Sequence, residues 1–156
     1  MRHGDAEPAA AGRGDEERQL SERGRREVLL AAQVLARARI VPQAILTSPL
    51  IRARQTGGIL ADALAVGAEA VEALRPGCRL GVLQALLEQR GVEGVLLVGH
   101  EPDFSAMVGE LIGGGQVRMQ TGAVARVDAS SLASGEGTLV WLLTPAMAAV
   151  GADSGT

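Results

Sequence analysis

The stretch "EGVLLVGHEP" (93–102) decides the fold. Val95 to Gly99 form an unbroken apolar run that ends at His100, and Pro102 follows at once. An uninterrupted run of this length, rather than an alternating one, reads as a strand buried on both faces, the kind found in parallel sheets. The next stretch, "EPDFSAMVGELIGG" (101–114), reads as a helix with Pro102 near its start. The same strand-then-helix shape recurs upstream. "QAILTS" (43–48) is a short apolar run, and "SPLIRARQTGGILADAL" (48–64) continues it as a helix. Ser48 suits the N-cap and Pro49 the first helical position, while Gly57 and Gly58 weaken the helix by roughly 1 kcal/mol each against alanine.

The remaining segments fit around these units. "SERGRREVLLAAQVLARAR" (21–39) is a helix capped by Ser21, with Val28, Ala31, Ala32 and Leu35 at helical spacing. "EAVEAL" (69–74) reads as a strand, and "RLGVLQALLEQR" (79–90) as a helix. "AVARVDA" (123–129) and "TLVWLLT" (138–144) read as a hairpin joined by "SSLASGEG", and residues 5–19 as a loop. The alternation predicts an α/β three-layer sandwich, a mostly parallel central sheet flanked by helices, with a C-terminal hairpin. It predicts one domain over residues 1–145 and a flexible tail over 146–156.

Composition narrows the function. The 156-residue chain carries 18 acidic and 15 basic side chains, all arginine, for a net charge of −3. That balance argues against non-specific nucleic-acid binding. With one Trp, one Phe and no Tyr, the core must be aliphatic. Cys78 is the sole cysteine, so no internal disulfide can form and a reducing compartment, the cytoplasm, is expected. No apolar run reaches the length of a membrane span, and the polar opening is unlike a secretory leader.

In open α/β sheets, ligands bind beyond the carboxyl ends of the strands. "RHG" (2–4), "TSPLIR" (47–52) and "VGHEP" (98–102) would meet there, bringing Arg2, His3, Arg52 and His100 together. Guanidinium forks match phosphate oxygens and never lose their charge. A neutral imidazole can attack phosphorus, and a second imidazole, if protonated, can stabilise charge on the equatorial oxygens. Fixed positive charge opposes a metal cation, so this set reads as a phosphoryl site without a metal.

"RHGDA" (2–6), "LSERGRRE" (20–27), "SPLIRARQT" (48–56) and "VGHEPDFSAMV" (98–108) occur in the order and spacing of the histidine phosphatase superfamily, the phosphoglycerate-mutase-like group. The chain resembles its small, SixA-type phosphohistidine phosphatases over about residues 2–145. The resemblance implies that His3 is the nucleophile and becomes transiently phosphorylated. It implies that Arg2 and Arg52 bind phosphate, and that His100 hydrogen-bonds the phosphoryl group. Gly4 would let the backbone pass close to the anion. Water would then hydrolyse the phosphoenzyme, with no cofactor. The implied partner is a protein carrying phosphohistidine, or else a small phosphorylated substrate.

Two features depart from that pattern. Relatives carry an apolar strand before "RHG", whereas only Met1 stands there, so a missing or truncated first strand and weaker stability are expected. Relatives that act on alkoxide esters also carry a carboxylic acid in an insertion that this chain lacks. Glu72 or Asp5 could serve, but nothing in the sequence singles out either. Phosphohistidine relaxes the need, because imidazole leaves far more readily than an alkoxide. The alternatives are a phosphomonoesterase acting on a small metabolite and a non-catalytic phosphate-binding module. "GRGD" (12–15) reads as a chance adhesion-like match and Cys78 as incidental. Glu101 and Asp103 read as helix N-terminal charges, with Glu101 also able to line the pocket.

Overall fold

Strand β1 (Ala44–Thr47) pairs in parallel with β2 (Ala68–Ala70) on one side and β3 (Val95–Val98) on the other, giving the order β2-β1-β3. The register sets Ile45 opposite both Leu96 and Ala68. The computed structural model describes residues 1–9, 11–12 and 14–153, with side chains described as far as Val150. Alternation along β1 builds two cores. Ile45 faces Val28, Leu35 and Leu60, from α1 (Glu22–Arg37) and α2 (Ile51–Leu64). Leu46 faces Leu83 and Met107, from α3 (Leu80–Arg90) and α4 (Asp103–Leu111). The expected three layers follow. Each fully buried leucine or isoleucine stabilises them by about 1.5–3 kcal/mol.

Residues 1–3 occupy the place of the first strand. The Met1 amino group donates to Leu97 O (2.7 Å), Gly99 N to Met1 O (3.1 Å) and His3 N to Gly99 O (3.0 Å). On the other side Arg2 N donates to Ala123 O (3.1 Å), and Gly122 N to His3 O (3.0 Å). Three residues therefore join β3 to the chain entering β4 (Val124–Ala129), which pairs antiparallel with β5 (Gly137–Leu143) as the expected hairpin. The position is short but filled, and Met1 is buried in the core.

Two glycine pairs of contacts hold the helices to this framework. A Cβ at Gly24 would lie 2.1 Å from Asp5 O, and one at Gly57 would lie 2.3 Å from Thr47 Cγ2. Gly57 weakens α2 in isolation but lets it lie against β1. Ser21 caps α1 as expected, its Oγ accepting from Gly24 N at 3.0 Å.

Three expectations are corrected. Helix α2 begins at Ile51 with Leu50 at the cap position, so Ser48 is not its N-cap; its hydroxyl is engaged elsewhere. The predicted strand 69–74 is shorter. Beyond Ala70 the chain tightens into a 3₁₀ turn, Glu72–Leu74, which buries Leu74 in the core cluster that holds Leu46. Residues 146–153 are not a flexible tail: Pro145–Asp153 forms α5, with Ala148 fully buried and the helix packed on α1. The signal for it was in the sequence. Thr144 Oγ1 accepts from Met147 N (3.3 Å) as an N-cap, and Pro145 takes the first helical position.

Candidate active site

His3, Arg52 and His100 meet at the carboxyl ends of the parallel strands, each buried to within 8 % of full exclusion from solvent. His3 follows the bridge that Arg2 makes with Gly99, Arg52 lies in the first turn of α2, and His100 follows β3. The two imidazole centroids are 5.1 Å apart and tilted by 56°. One tetrahedral group can therefore touch both rings.

The backbone fixes the tautomer of His3. Its Nδ1 lies 2.7 Å from Gly4 O, which can only accept, so Nδ1 carries the proton and Nε2 the lone pair. That lone pair accepts from Arg52 Nε at 3.2 Å. Thr56 locks the arrangement one helical turn away. Its hydroxyl donates to Arg52 O (2.8 Å) and accepts from Gly4 N (3.1 Å). His100 is fixed from the other side. Ser48 Oγ accepts from Leu50 N (3.4 Å) and lies 2.7 Å from His100 Nε2. In the tautomer in which the Ser48 hydroxyl donates to Nε2, His100 Nδ1 carries the proton.

Among the described residues, the buried side-chain polar atoms without a partner are Arg2 Nε and His100 Nδ1. An unsatisfied buried donor costs about 1–3 kcal/mol. Two of them beside one nucleophilic nitrogen make a place for an oxyanion. Arg2 is otherwise held by Nη1 donating to Met119 O at 3.0 Å.

Both imidazoles are neutral in the free protein. Burial pushes His3 down to about 4, against the Gly4 carbonyl; the nearby Arg52 and Arg2 charges act in the same sense as burial. Burial, then Arg52, pushes His100 down to about 4 as well, with Asp15 opposing. A neutral His3 is the form that can attack phosphorus. A neutral His100 in that tautomer still donates from Nδ1.

Asp15 is a contributor that sequence reasoning missed. Arg52 Nη2 donates to Asp15 Oδ2 (2.8 Å) and Nη1 to Asp15 O (2.7 Å). Asp15 belongs to "GRGD", which the sequence reading set aside; Arg13 of that motif lies outside the described residues. Nothing in the sequence linked this loop to α2. Ser48 and Thr56 could have been found: both belong to the quoted "SPLIRARQT", and Thr56 lies four residues after Arg52, on the same helical face.

Other expected site residues lie elsewhere. Asp5 accepts from Ser21 Oγ (2.7 Å) and pairs with Arg23 (2.8 Å). The Ser21 hydrogen bond, against burial and together with Arg23, holds it below the usual carboxylate range, the wrong direction for an acid. Glu72 is exposed and paired with Arg75 at 2.6 Å, on a turn that Arg75 also ties to Glu16 (2.8 Å). Glu101 Oε1 accepts from Ser105 N at 3.2 Å, inside the start of α4. Gly4 is needed for packing: a Cβ there would lie 2.8 Å from Val28 Cγ2 and 3.1 Å from Gly24 O. Its closeness is to α1. Among the described residues no group of three or more His, Cys, Asp or Glu could hold a metal ion. No helix among them is long and apolar enough to cross a membrane.

Comparison with known proteins agrees with this geometry. Residues 1–77 match the family described as Histidine phosphatase superfamily (branch 1). The phosphohistidine phosphatase SixA of Escherichia coli is 35 % identical over 151 residues, covering 93 % of this chain and 91 % of that protein. A solved structure of the protein histidine phosphatase SixA complexed with tungstate superposes with a TM-score of 0.83 at 34 % identity, over 94 % of this chain and 95 % of that one. A mycobacterial glucosyl-3-phosphoglycerate phosphatase in complex with VO3 superposes with a TM-score of 0.67 at 18 % identity, over 90 % and 95 % of the two chains, and shares the fold.

Proposed function

Because this chain belongs to the histidine phosphatase superfamily, as a homologue of phosphohistidine phosphatase SixA, we propose that it hydrolyses phosphohistidine on a protein through a phosphoenzyme at His3. The substrate's phosphoryl group sits against Arg2, Arg52 and His100. His3 Nε2 attacks phosphorus as the bond from phosphorus to the substrate imidazole breaks, and that imidazole leaves with a proton from solvent. Water then attacks the His3 phosphoramidate. Inorganic phosphate departs, and His3 returns to its neutral form. The observation that carries this reading is the His3 Nε2 lone pair, set by the Nδ1 contact with Gly4 O and facing Arg52 Nε, in a cluster that also holds two unpartnered buried nitrogens, Arg2 Nε and His100 Nδ1.

The leaving group follows from the carboxyls. Asp5 is held below the usual carboxylate range by Ser21 and Arg23, and Glu72 is an exposed carboxylate beside Arg75, so neither is set up to protonate an alkoxide. That supports phosphohistidine over a sugar or glycerol phosphate, whose leaving group needs an acid. Among structural neighbours, SixA-type proteins also fit better than phosphatases of small metabolites. We place the reaction in the cytoplasm, in keeping with a lone, buried Cys78.

The test is a substrate panel of phosphohistidine protein, sugar phosphate and aryl phosphate, run on wild type and His3→Ala. Wild type is expected to hydrolyse the phosphohistidine protein and the aryl phosphate. His3→Ala is expected to lose at least about 10⁴-fold in turnover, together with all covalent labelling by ³²P. Full activity in His3→Ala overturns the mechanism. A sugar phosphate turned over faster than phosphohistidine overturns the substrate class.

A further inference from the structure

Beside the reaction centre lies a recess of about 620 Å³, walled by Arg2, Arg23, Arg118, Glu27, Gln120 and Thr121, and floored by apolar residues of α1 and α5. We propose that this recess receives acidic side chains flanking the phosphohistidine of the protein substrate; the inference rests on the function proposed above.

Charge makes the case first. The chain as a whole carries −3, so its net charge alone does not attract an acidic partner. In the recess three guanidiniums face one carboxylate. Arg23 is engaged, 2.8 Å from Asp5 and 3.7 Å from Glu27. Arg118 is exposed and has no ion pair or hydrogen bond among the described residues. It is an exposed positive charge without a partner among those residues of the fold. Gln120 and Thr121 add polar groups beside it.

Position makes the case second. Arg2 belongs to both sites: it lines the recess, and its charge is felt by His3 and His100. The loop that carries Arg118 is bonded to the nucleophile's own segment. Met119 O accepts from Arg2 Nη1, and Gly122 N donates to His3 O. An extended peptide advances about 3.5 Å per residue, so residues one to three away from a phosphohistidine held at His3 can reach this wall. Arginines at the edge of a binding site chiefly raise encounter rate and select partners, while leaving the chemical step alone.

The test uses two synthetic peptides, each with one phosphohistidine, differing only in whether the three residues on either side include glutamates or glutamines. Wild type and Arg118→Glu are assayed on both, with p-nitrophenyl phosphate in parallel. For wild type the KM of the glutamate peptide is expected to be lower by about threefold or more, an advantage that shrinks with added salt. Arg118→Glu is expected to abolish or invert the preference while its kcat/KM on p-nitrophenyl phosphate stays at the wild-type level, which also reports an intact fold. Equal KM values for the two peptides in wild type overturn the inference. So does a preference that survives in Arg118→Glu. If wild type turns over p-nitrophenyl phosphate but neither peptide, the proposed substrate class is what has failed, and the docking site goes with it.

Discussion

Two arginine–aspartate contacts of equal length stand in different parts of the molecule. At the reaction centre Arg52 Nη2 lies 2.8 Å from Asp15 Oδ2; on the hairpin Arg126 Nε lies 2.8 Å from Asp128 Oδ1. The acids are alike, 61 % and 56 % exposed, but the Arg52 side chain is 6 % exposed and that of Arg126 is 47 %. Distance therefore does not separate them; surroundings do. The Arg52 charge acts through a poorly screened interior and depresses two imidazoles. The Arg126 charge is spent on its neighbour two residues away and on water. A buried cation becomes a tool only because β3, α2 and residues 1–3 converge on it.

Removing the buried cation should produce the largest effect. Arg52→Ala is expected to lower kcat/KM by about 10²–10³, the usual scale for a lost oxyanion donor. A second readout separates this from mere loosening. The chain has two histidines, so two imidazole signals report by NMR titration. Both pKa values should rise from about 4 toward the ordinary value in Arg52→Ala, because a positive charge has gone. A rate within threefold of wild type, with unmoved imidazoles, contradicts the role given to Arg52.

Acid should sharpen the comparison next. Folded, both imidazoles have pKa values near 4; unfolded, near 6.5. Between those values the unfolded chain binds more protons, so stability rises with pH across the window and falls as pH drops from about 6.5 to 4. The loss should reach roughly a few kcal/mol by pH 4, visible as a falling urea midpoint. An Arg52→Ala chain should lose less over the same interval. A wild-type midpoint that stays flat between pH 6.5 and 4.5 is incompatible with two neutral, buried imidazoles.

Asp15→Asn should have a smaller effect. The Asp15 carbonyl still accepts from Arg52 Nη1, so the guanidinium keeps one of its two loop anchors. A loss of about threefold to tenfold in kcat/KM is expected from the weaker hold on Arg52. The His100 signal should titrate at still lower pH, since the Asp15 charge acts to raise it. An unchanged His100 titration places the Asp15 charge too far away to matter.

The elements whose signals are local were legible in the sequence. The β3 run, the Ser21 cap and the motif residues His3, Arg52 and His100 all stand in the expected settings. What escaped depends on contacts across the chain. Asp15 reaches Arg52 over 37 residues, from a loop without periodicity. Ser48 has the composition of a helix cap, and only the arrival of His100 from β3 gives its hydroxyl another partner. The first strand is as short as the single Met before "RHG" leads one to expect: an isolated bridge at Arg2 and a few backbone hydrogen bonds stand in its place between β3 and the chain entering β4. Gly4 reads as clearance for an anion until Val28 is seen packed against it. Helix α5 escaped for a different reason, since Thr144 and Pro145 carried its start signal in plain view.

The hairpin pair is the control that gives the other results their meaning. Arg126 and Asp128 form two hydrogen bonds, at 2.8 and 3.1 Å, and on a contact map would count as a strong pair. Both side chains are solvated, and neither touches the reaction centre. Arg126→Ala is therefore expected to leave kcat/KM at the wild-type value and the melting temperature within experimental error, because water replaces the hydrogen bonds the arginine donated to Asp128. Comparing it with Arg52→Ala holds residue type and pair distance constant and varies burial and contact with His3. If both variants lost activity to the same extent, the damage would come from deleting an arginine anywhere in this acidic chain, and the special standing of the buried one would disappear.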